Sequence, residues 1–485
     1  MKKSGGVVMR GKSTKLLLSC AAFLFLCMLA CGVGVASART IYVPDDYAKI
    51  QWAVGNASAG DTIIVRPGTY IENVYVDKSL EIRSYSQNPS DTIVKSFSYG
   101  HVFHVTADNV YISSFTVTGA TGTLKAGVYL NSNYSKVENV IASNNYFGIY
   151  LVYSDNNTLA KNTASNNNVG ICLSYSDNNT LAKNTASSNN YYGIRFYHSN
   201  NNTLTNNTAS NNDVGIWLWH STNNTLSKNN MFNNVYNFYL YGWQDSHFDN
   251  NIDKTNTVDG KPIYYIKNAS NTVYDSSTNA GTFYCIWCDN VTVKELNLTK
   301  NVCGVFFWKT NNSMIENVNA SNNDVGIRLS CSNNNTLAKN TASSNNHDGI
   351  DLYYSKDNTL ANNNASNNHN GISLSCSKDN TLANNNASNN HNGISLVYSN
   401  NNTIYLNNFI NNINQVYSSD STNIWNSTKK ITYIYNGNQY TNYLGNYWSD
   451  YKGSDADGDG IGDTPYSIIQ IRTIIHLLIY LRIIF

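Results

Sequence analysis

GIYLVYSDNNTLAKNTASNNNVG, residues 148–170, decides the fold, because the glycine that opens it recurs at its end and all its parts return with it. A Gly followed by Ile or Val stands at 127, 148, 170, 193 and 215, and again at 304, 326, 349, 371 and 393. The steps are 21, 22, 23 and 22, then 22, 23, 22 and 22. Each unit carries a second marker, as in Asn156 to Leu159, Asn178 to Leu181, Asn334 to Leu337 or Asp379 to Leu382. A third marker appears as Ala164 to Asn167 or Ala387 to Asn390. Three markers per unit predict three short strands per unit.

The apolar residues alternate with period 2, as in Ile149 and Leu151 or Ile216 and Leu218, which excludes a helical solenoid. One coil cannot bury its own apolar edge. Stacking coils at about 4.8 Å builds aliphatic columns inside and asparagine ladders at the turns. Low-complexity disorder would not keep Gly-Ile-x-Leu in register over ten units. The expected fold is therefore all-β: a right-handed parallel β-helix of about 22-residue coils. Asp45–Ala59 places Tyr47, Ile50, Val54 and Ala57 at helical spacing, which predicts an N-terminal capping helix over the open end of the stack.

Working outward, Lys2, Lys3, Arg10, Lys12 and Lys15 precede an apolar run from Leu16 to Leu29 and an Ala36-Ser37-Ala38 cleavage site. This predicts a signal peptide over 1–38 and an exported mature chain. A lipoprotein attachment through Cys31 is disfavoured by Leu29 two residues before it. Cleavage takes the formal charge from +1 to −4. Only 13% of residues are charged, so no basic stripe for nucleic acid exists. The expected organisation is cap and first coils at 39–126, repeats at 127–231, an irregular central segment at 232–303, repeats at 304–415, a C-terminal cap at 416–466 and an apolar tail at 467–485. The tail is broken by Gln470, Arg472, His476 and Arg482. A membrane anchor, a terminal strand, an interfacial segment and an altered reading frame all remain open for it.

The opening AGDTIIVRPGTY, the NNTL coils and the central NTVDGKPIYY, residues 256–265, together resemble the NosD-like family of periplasmic copper-binding β-helix proteins and the archaeal cell-surface proteins that share these repeats. The resemblance runs from about Ile41 to Tyr466. It implies the fold and an extracytoplasmic setting, with copper as a cofactor. It supplies no catalytic set.

With Ile and Leu inside, the alternating residues Tyr150, Arg195, Tyr197, Trp217, Trp219, Phe306, Trp308, Arg328, Asp351 and Tyr353 are expected to stack on the outer face. Flat rings along a rod suit the apolar faces of sugars, so Tyr150, Tyr197, Trp217, Trp219, Trp308 and Tyr353 are the expected glycan platform. The alternative is that the central insert, 232–300, covers them. His347, His369 and His391 each lie two residues before the coil glycine and form a candidate copper or zinc column, with His198 and His220 a shorter one. The competing reading is a polar turn ladder shared with asparagine. Asp455, Asp457, Asp459 and Asp463 fall at positions 1, 3, 5 and 9 of a calcium-loop pattern with Gly460 at position 6, although Tyr466 replaces the position-12 glutamate.

Cys331 and Cys376 should lie two rungs apart and not pair. Cys285 and Cys288 are expected on opposite faces of a strand, leaving Cys288 with Cys303 as the favoured disulfide. A cleaving enzyme needs paired carboxylates, and Asp351 with Arg328 is the weak pair to test, against a plain cross-rung ion pair. The reading favours a non-catalytic cell-surface β-helix that binds envelope glycan, ahead of copper handling and then of a polysaccharide hydrolase or lyase.

Overall fold

The computed structural model of the chain describes residues 38–468, 470 and 471. The signal-peptide expectation lies outside these residues, as does most of the apolar tail. Among the described residues no helix is long and apolar enough to cross a membrane.

From Thr40 onward the chain is a parallel β-helix whose coils each contribute one long and two short strands. Strand Val214–Trp219 is followed by Thr225–Ser227 and Asn230–Phe232, and each pairs in parallel with its counterpart one coil away. The corners explain the repeat. His220, Asn223, Lys228 and Asn233 take left-handed φ values of 45°, 56°, 55° and 54°, turning the chain at each corner. Asparagine tolerates that region because its short side chain bonds locally.

The asparagine following the left-handed residue points inward and is buried. Asn184 donates its backbone N–H and its Nδ2 to Asn207 Oδ1 at 2.9 and 3.0 Å, and donates Nδ2 to Leu159 O at 2.9 Å. Rung upon rung, such bonds satisfy polar groups that would otherwise be orphaned in the core. Between them Leu159, Leu181, Leu204 and Leu226 stack with no exposure. Each is worth roughly 1.5–3 kcal/mol of burial. The coil glycine is a close-approach residue: a Cβ at Gly170 would sit 2.5 Å from Gly193 O.

The cap helix is shorter than its sequence pattern, spanning Ile50–Asn56 and burying Ile50, Ala53 and Val54. Its ends are neutralised by charge. Glu72 accepts from the N–H groups of Ile50 and Gln51 at 3.0 and 2.9 Å. Lys78 Nζ donates to the carbonyls of Val54, Gly55 and Ala57 at 3.1, 2.8 and 2.9 Å. Both arrangements oppose the helix dipole favourably.

The central stretch is not irregular throughout. Tyr236–Tyr241 adds one more rung to the first stack of long strands. The chain then makes an antiparallel hairpin, pairing Thr257 with Pro262 and Val258 with Lys261 about Asp259-Gly260, both at positive φ. This hairpin starts a second stack, in which Lys261–Lys267, Thr282–Ile286 and Cys303–Trp308 lead the long strands. Their two faces serve two cores. Ile263, Tyr265, Tyr284, Ile286, Phe306 and Trp308 join the core of the first stack. Tyr264, Phe283, Cys285, Val305 and Phe307 join that of the second. The sheet is a shared wall.

At the far end Trp448 stacks on Phe409 at 4.7 Å and Tyr466 on Trp448 at 4.4 Å, covering the last coil. Gln470 and Ile471 extend the long-strand sheet beside Ser418 and Ser419.

Candidate functional site: the junction of the two stacks

The outward column of the first long-strand sheet runs Tyr75, His104, Tyr129, Tyr150, Cys172, Arg195, Trp217 and Tyr239, one residue per rung. The aromatic column exists, but much of it is covered. Tyr150 is half-buried against Phe147, 4.2 Å between ring centres. Arg195 lies 5.3, 5.4 and 5.1 Å from the rings of Tyr192, Tyr197 and Trp217. Tyr197 and Trp219 remain half-buried and Tyr353 is exposed.

Two expected platform residues are corrected. Trp217, 6% exposed, is enclosed by Tyr192, Trp219 and Tyr239. Trp308, 5% exposed, is covered by Phe248 at 4.1 Å, with its indole N–H donated to Asp245 at 2.9 Å. The insert covers this part of the face through the short helix Asp245–Phe248. More open rings occur at the left-handed corner positions Tyr134, Tyr153 and Tyr175, which strand alternation does not single out. Tyr153, Tyr175 and His198 stack nearly parallel at 5.3 and 5.1 Å, so they show edges and hydroxyls to solvent more than faces.

Asp351 and Arg328 meet as Arg328 Nε to Asp351 Oδ2 at 2.7 Å, with the carboxylate buried. By itself this is an ion pair across two rungs. Its surroundings give it further meaning. His347 Nδ1 lies 2.6 Å from Asp324 Oδ1, and Asn346 donates to the same oxygen at 3.2 Å. Burial opposes ionisation of Asp324, but the bonds from His347 and Asn346 and the Arg328 charge hold its carboxyl below the usual range. Asp348, one residue from His347, accepts from Asn370 at 2.7 Å. Burial and the Asp351 charge push it up to about 6.

This cluster faces the last coils of the first stack. Burial and the charges of Asp324 and Asp213 raise the Tyr236 phenol. Asp213 is exposed, its backbone carbonyl accepts from Tyr236 N at 2.8 Å, and partial desolvation together with the Asp324 charge raises its carboxyl. A groove of about 380 Å³ opens here, walled by Val235 and Tyr236 on one side and Asn322, Asn345, Asn346 and Asn367 on the other. The sequence did carry a signal for the pair. NNDVGI occurs twice, at 211–216 and 322–327, once in each stack, so both aspartates sit two residues before a coil glycine.

The histidine column His347, His369 and His391 does not fit a metal. His347 turns to Asp324, and the rings of His369 and His391 stack at 4.8 Å and 7°, so their in-plane lone pairs run side by side instead of converging. The shorter column fits better and gains a member. His198 Nε2 lies 3.3 Å from His220 Nδ1, and His247 stacks on His220 at 4.8 Å. His220 is 4% exposed, its Nε2 has no hydrogen-bond partner, and burial followed by the neighbouring His247 and His198 charges lowers it to about 3. A neutral imidazole is the form that ligates copper. Trp219 Nε1 occupies His220 Nδ1 at 2.8 Å.

In the C-terminal loop, carboxylate oxygens of Asp455, Asp457 and Asp459 lie within 4.8 Å of one another, as a cation loop requires. Asp463 departs from the expected set, because its Oδ2 accepts from Ala456 N at 2.8 Å and Ser454 Oγ at 3.1 Å. The disulfide expectation is also corrected. Cys285 bonds to Cys288, and Cys303 is a free, buried thiol. The strand ends at Ile286, and Trp287 at φ 54° breaks the alternation that would have put the two cysteines on opposite faces. Cys331 and Cys376 are free, with the Tyr354 rung between them.

The sequence profile of the family described as periplasmic copper-binding protein (NosD) matches residues 54–264 and 248–453. A cell surface glycoprotein of Methanothermus fervidus is 34% identical over 101 residues, 20% of this chain and 16% of the relative, so the chain spans a small part of that protein. Among solved structures, pectate lyase Pel9A is 15% identical with a TM-score of 0.37, covering 58% of this chain and 76% of that one. The catalytic domain of a GH87 alpha-1,3-glucanase in complex with nigerose is 13% identical with a TM-score of 0.37, covering 71% and 68%.

Proposed function

The chain belongs to the NosD family, described as periplasmic copper-binding protein, and from that premise we propose that it binds envelope glycan in the groove where its two β-stacks meet. It is an exported β-helix protein of the cell surface or periplasm. The observation that carries the glycan reading is the groove itself, lined by Tyr236 and by the exposed asparagines Asn322, Asn346 and Asn367. Amides pair with sugar hydroxyls in both directions, donating and accepting, and an aromatic ring covers the apolar face of a pyranose. Three carboxylates, Asp324, Asp348 and Asp351, cluster with Arg328 and His347, and Asp213 adds a fourth beside Tyr236. That balance favours a neutral sugar chain over a uronate-rich one.

The test is calorimetry of the mature chain with neutral and acidic polysaccharides, repeated with Tyr236→Ala and Asn346→Ala. Binding of a neutral glycan weakened about tenfold or more by either change is the expected result, by loss of about 1.4 kcal/mol. Equal binding by both variants and the parent moves the ligand elsewhere.

A second reading, copper handling, is favoured by the buried, unpartnered Nε2 of His220 within the group His198, His220 and His247. Here the metal would be held by neutral imidazoles in an aromatic enclosure of Trp219, Tyr241 and Trp243.

A further inference from the structure

Arg66, Arg83 and Arg328 each hold a carboxylate, from Asp45, Glu81 and Asp351. Arg195 holds none. Among the described residues it makes no ion pair or hydrogen bond, and its neighbours are rings: the guanidinium lies 5.3 Å from the ring centre of Tyr192, 5.4 Å from that of Tyr197 and 5.1 Å from that of Trp217. Strand register puts it there, in the outward column between Cys172 and Trp217, one rung from each. Trp217 is 6% exposed and its indole N–H has no acceptor, and Arg195 Nε is likewise enclosed and unpaired. Two adjacent rungs thus carry two enclosed donors and one uncompensated cation. Donors left without acceptors are costly, and their positive ends stay uncancelled. Arg195 as a residue is partly exposed, so the Nη end of its fork is what an arriving group meets.

We propose that Arg195 anchors a second ligand site, which takes the carboxylate of a hexuronate residue in an acidic glycan. One guanidinium balances one negative charge, and its planar fork matches the two oxygens of a carboxylate. A phosphate monoester, with about two charges, finds no second cation among these neighbours. Tyr197 and Trp219, half-buried and 6.2 Å apart between ring centres, offer the aromatic surface for the pyranose that carries the carboxylate. The site does not rest on the groove. Arg195 lies two rungs from Tyr239, whose strand also carries Tyr236, and its unpaired cation is the reverse of the acidic balance found there.

The experiment titrates the mature chain with trigalacturonate and with its methyl ester, followed by tryptophan fluorescence and calorimetry. Arg195→Met and Arg195→Lys are titrated beside it, with circular dichroism melts to check folding. The parent is expected to bind the acid at least about tenfold more tightly than the ester, the difference shrinking as salt rises. Arg195→Met is expected to lose that preference, and Arg195→Lys, which keeps the charge without the fork, to retain part of it. Equal binding of acid and ester by the parent, no binding of the acid, or an undiminished preference in folded Arg195→Met each overturns the inference. Should Arg195→Met not fold, Arg195→Lys and the ester comparison carry the test. An acetylated tetra-aspartate peptide that displaces the trisaccharide at equal concentration overturns the sugar assignment. Neutral polysaccharide with Tyr236→Ala reads the groove separately, so either site can fail alone.

Discussion

At the residue scale the asparagines explain the composition. Those inside the corners belong to the core, since each spends its amide on the rungs on either side. Asn184→Ala should leave Leu159 O, and the backbone N–H and Nδ2 of Asn162 that donate to Asn184 Oδ1, short of partners at a cost of about 1–3 kcal/mol. Urea denaturation measures it, and a midpoint equal to the parent's would show the ladder to be energetically idle. Asp348 gives a pH-dependent counterpart. Its folded value of about 6 lies above the ordinary carboxyl value, so between about pH 4 and pH 6 the unfolded chain has released a proton the folded one keeps. Stability contributed there is fully present below pH 4 and is lost as pH rises to about 6. Asp348→Asn should remove that decline, on the order of 3 kcal/mol, seen as a melting temperature flatter across the interval. Parallel curves would contradict the assignment. The repeat and its ladder were legible in the sequence because a one-residue slip would expose every Ile and Leu. The burial of Trp217 was not, because alternation says which residues point outward and nothing of what is then laid over them.

At the scale of the element, the groups closest to chemistry sit where strands end. His198 and His220 occupy left-handed corner positions, φ 46° and 45°, which turn their rings along the stack toward one another. The spacing of five after the coil glycine was visible in the sequence. The third histidine, His247, was not, because it arrives on a short helix of the insert. If copper is taken by the unpartnered Nε2 of His220, the Trp219 indole N–H opposes it by donating to Nδ1, which leaves the ring's proton on Nε2. Trp219→Phe should therefore tighten copper by several-fold, and His220→Ala should abolish it, both read by competition with a chromophoric chelator. Weaker binding in Trp219→Phe would mean that the ring, and not its N–H, matters. The Cys285–Cys288 bond teaches the same lesson. Strand periodicity holds until the first left-handed residue, and Trp287 is that residue.

For the whole molecule, the fold class was readable because a 22-residue repeat admits few three-dimensional solutions. The junction was not, since nothing in the period announces that VDGK turns the chain into a second stack whose leading sheet is buried on both faces. Asp213 and Asp324 were hidden for the same reason: they are 111 positions apart, and only the shared wall brings their strands together. The ladder also sets how the protein ages. Asparagine before glycine is chemically labile, and the coil motif contains it at Asn370-Gly371 and Asn392-Gly393, with another in the exposed hairpin at Asn436-Gly437. In the stack, Asn392 Nδ2 bonds to Asn370 Oδ1 at 2.8 Å and Asn414 Nδ2 to Asn392 Oδ1 at 2.9 Å. Cyclisation needs that carbonyl free and the next peptide N–H turned onto it. Peptide mapping after long incubation should find aspartate at Asn436 first and at Asn370 and Asn392 last. Conversion at equal rates would mean that the rungs open freely. The rungs would then act as a clock case, keeping the coil amides intact for as long as the chain stays folded.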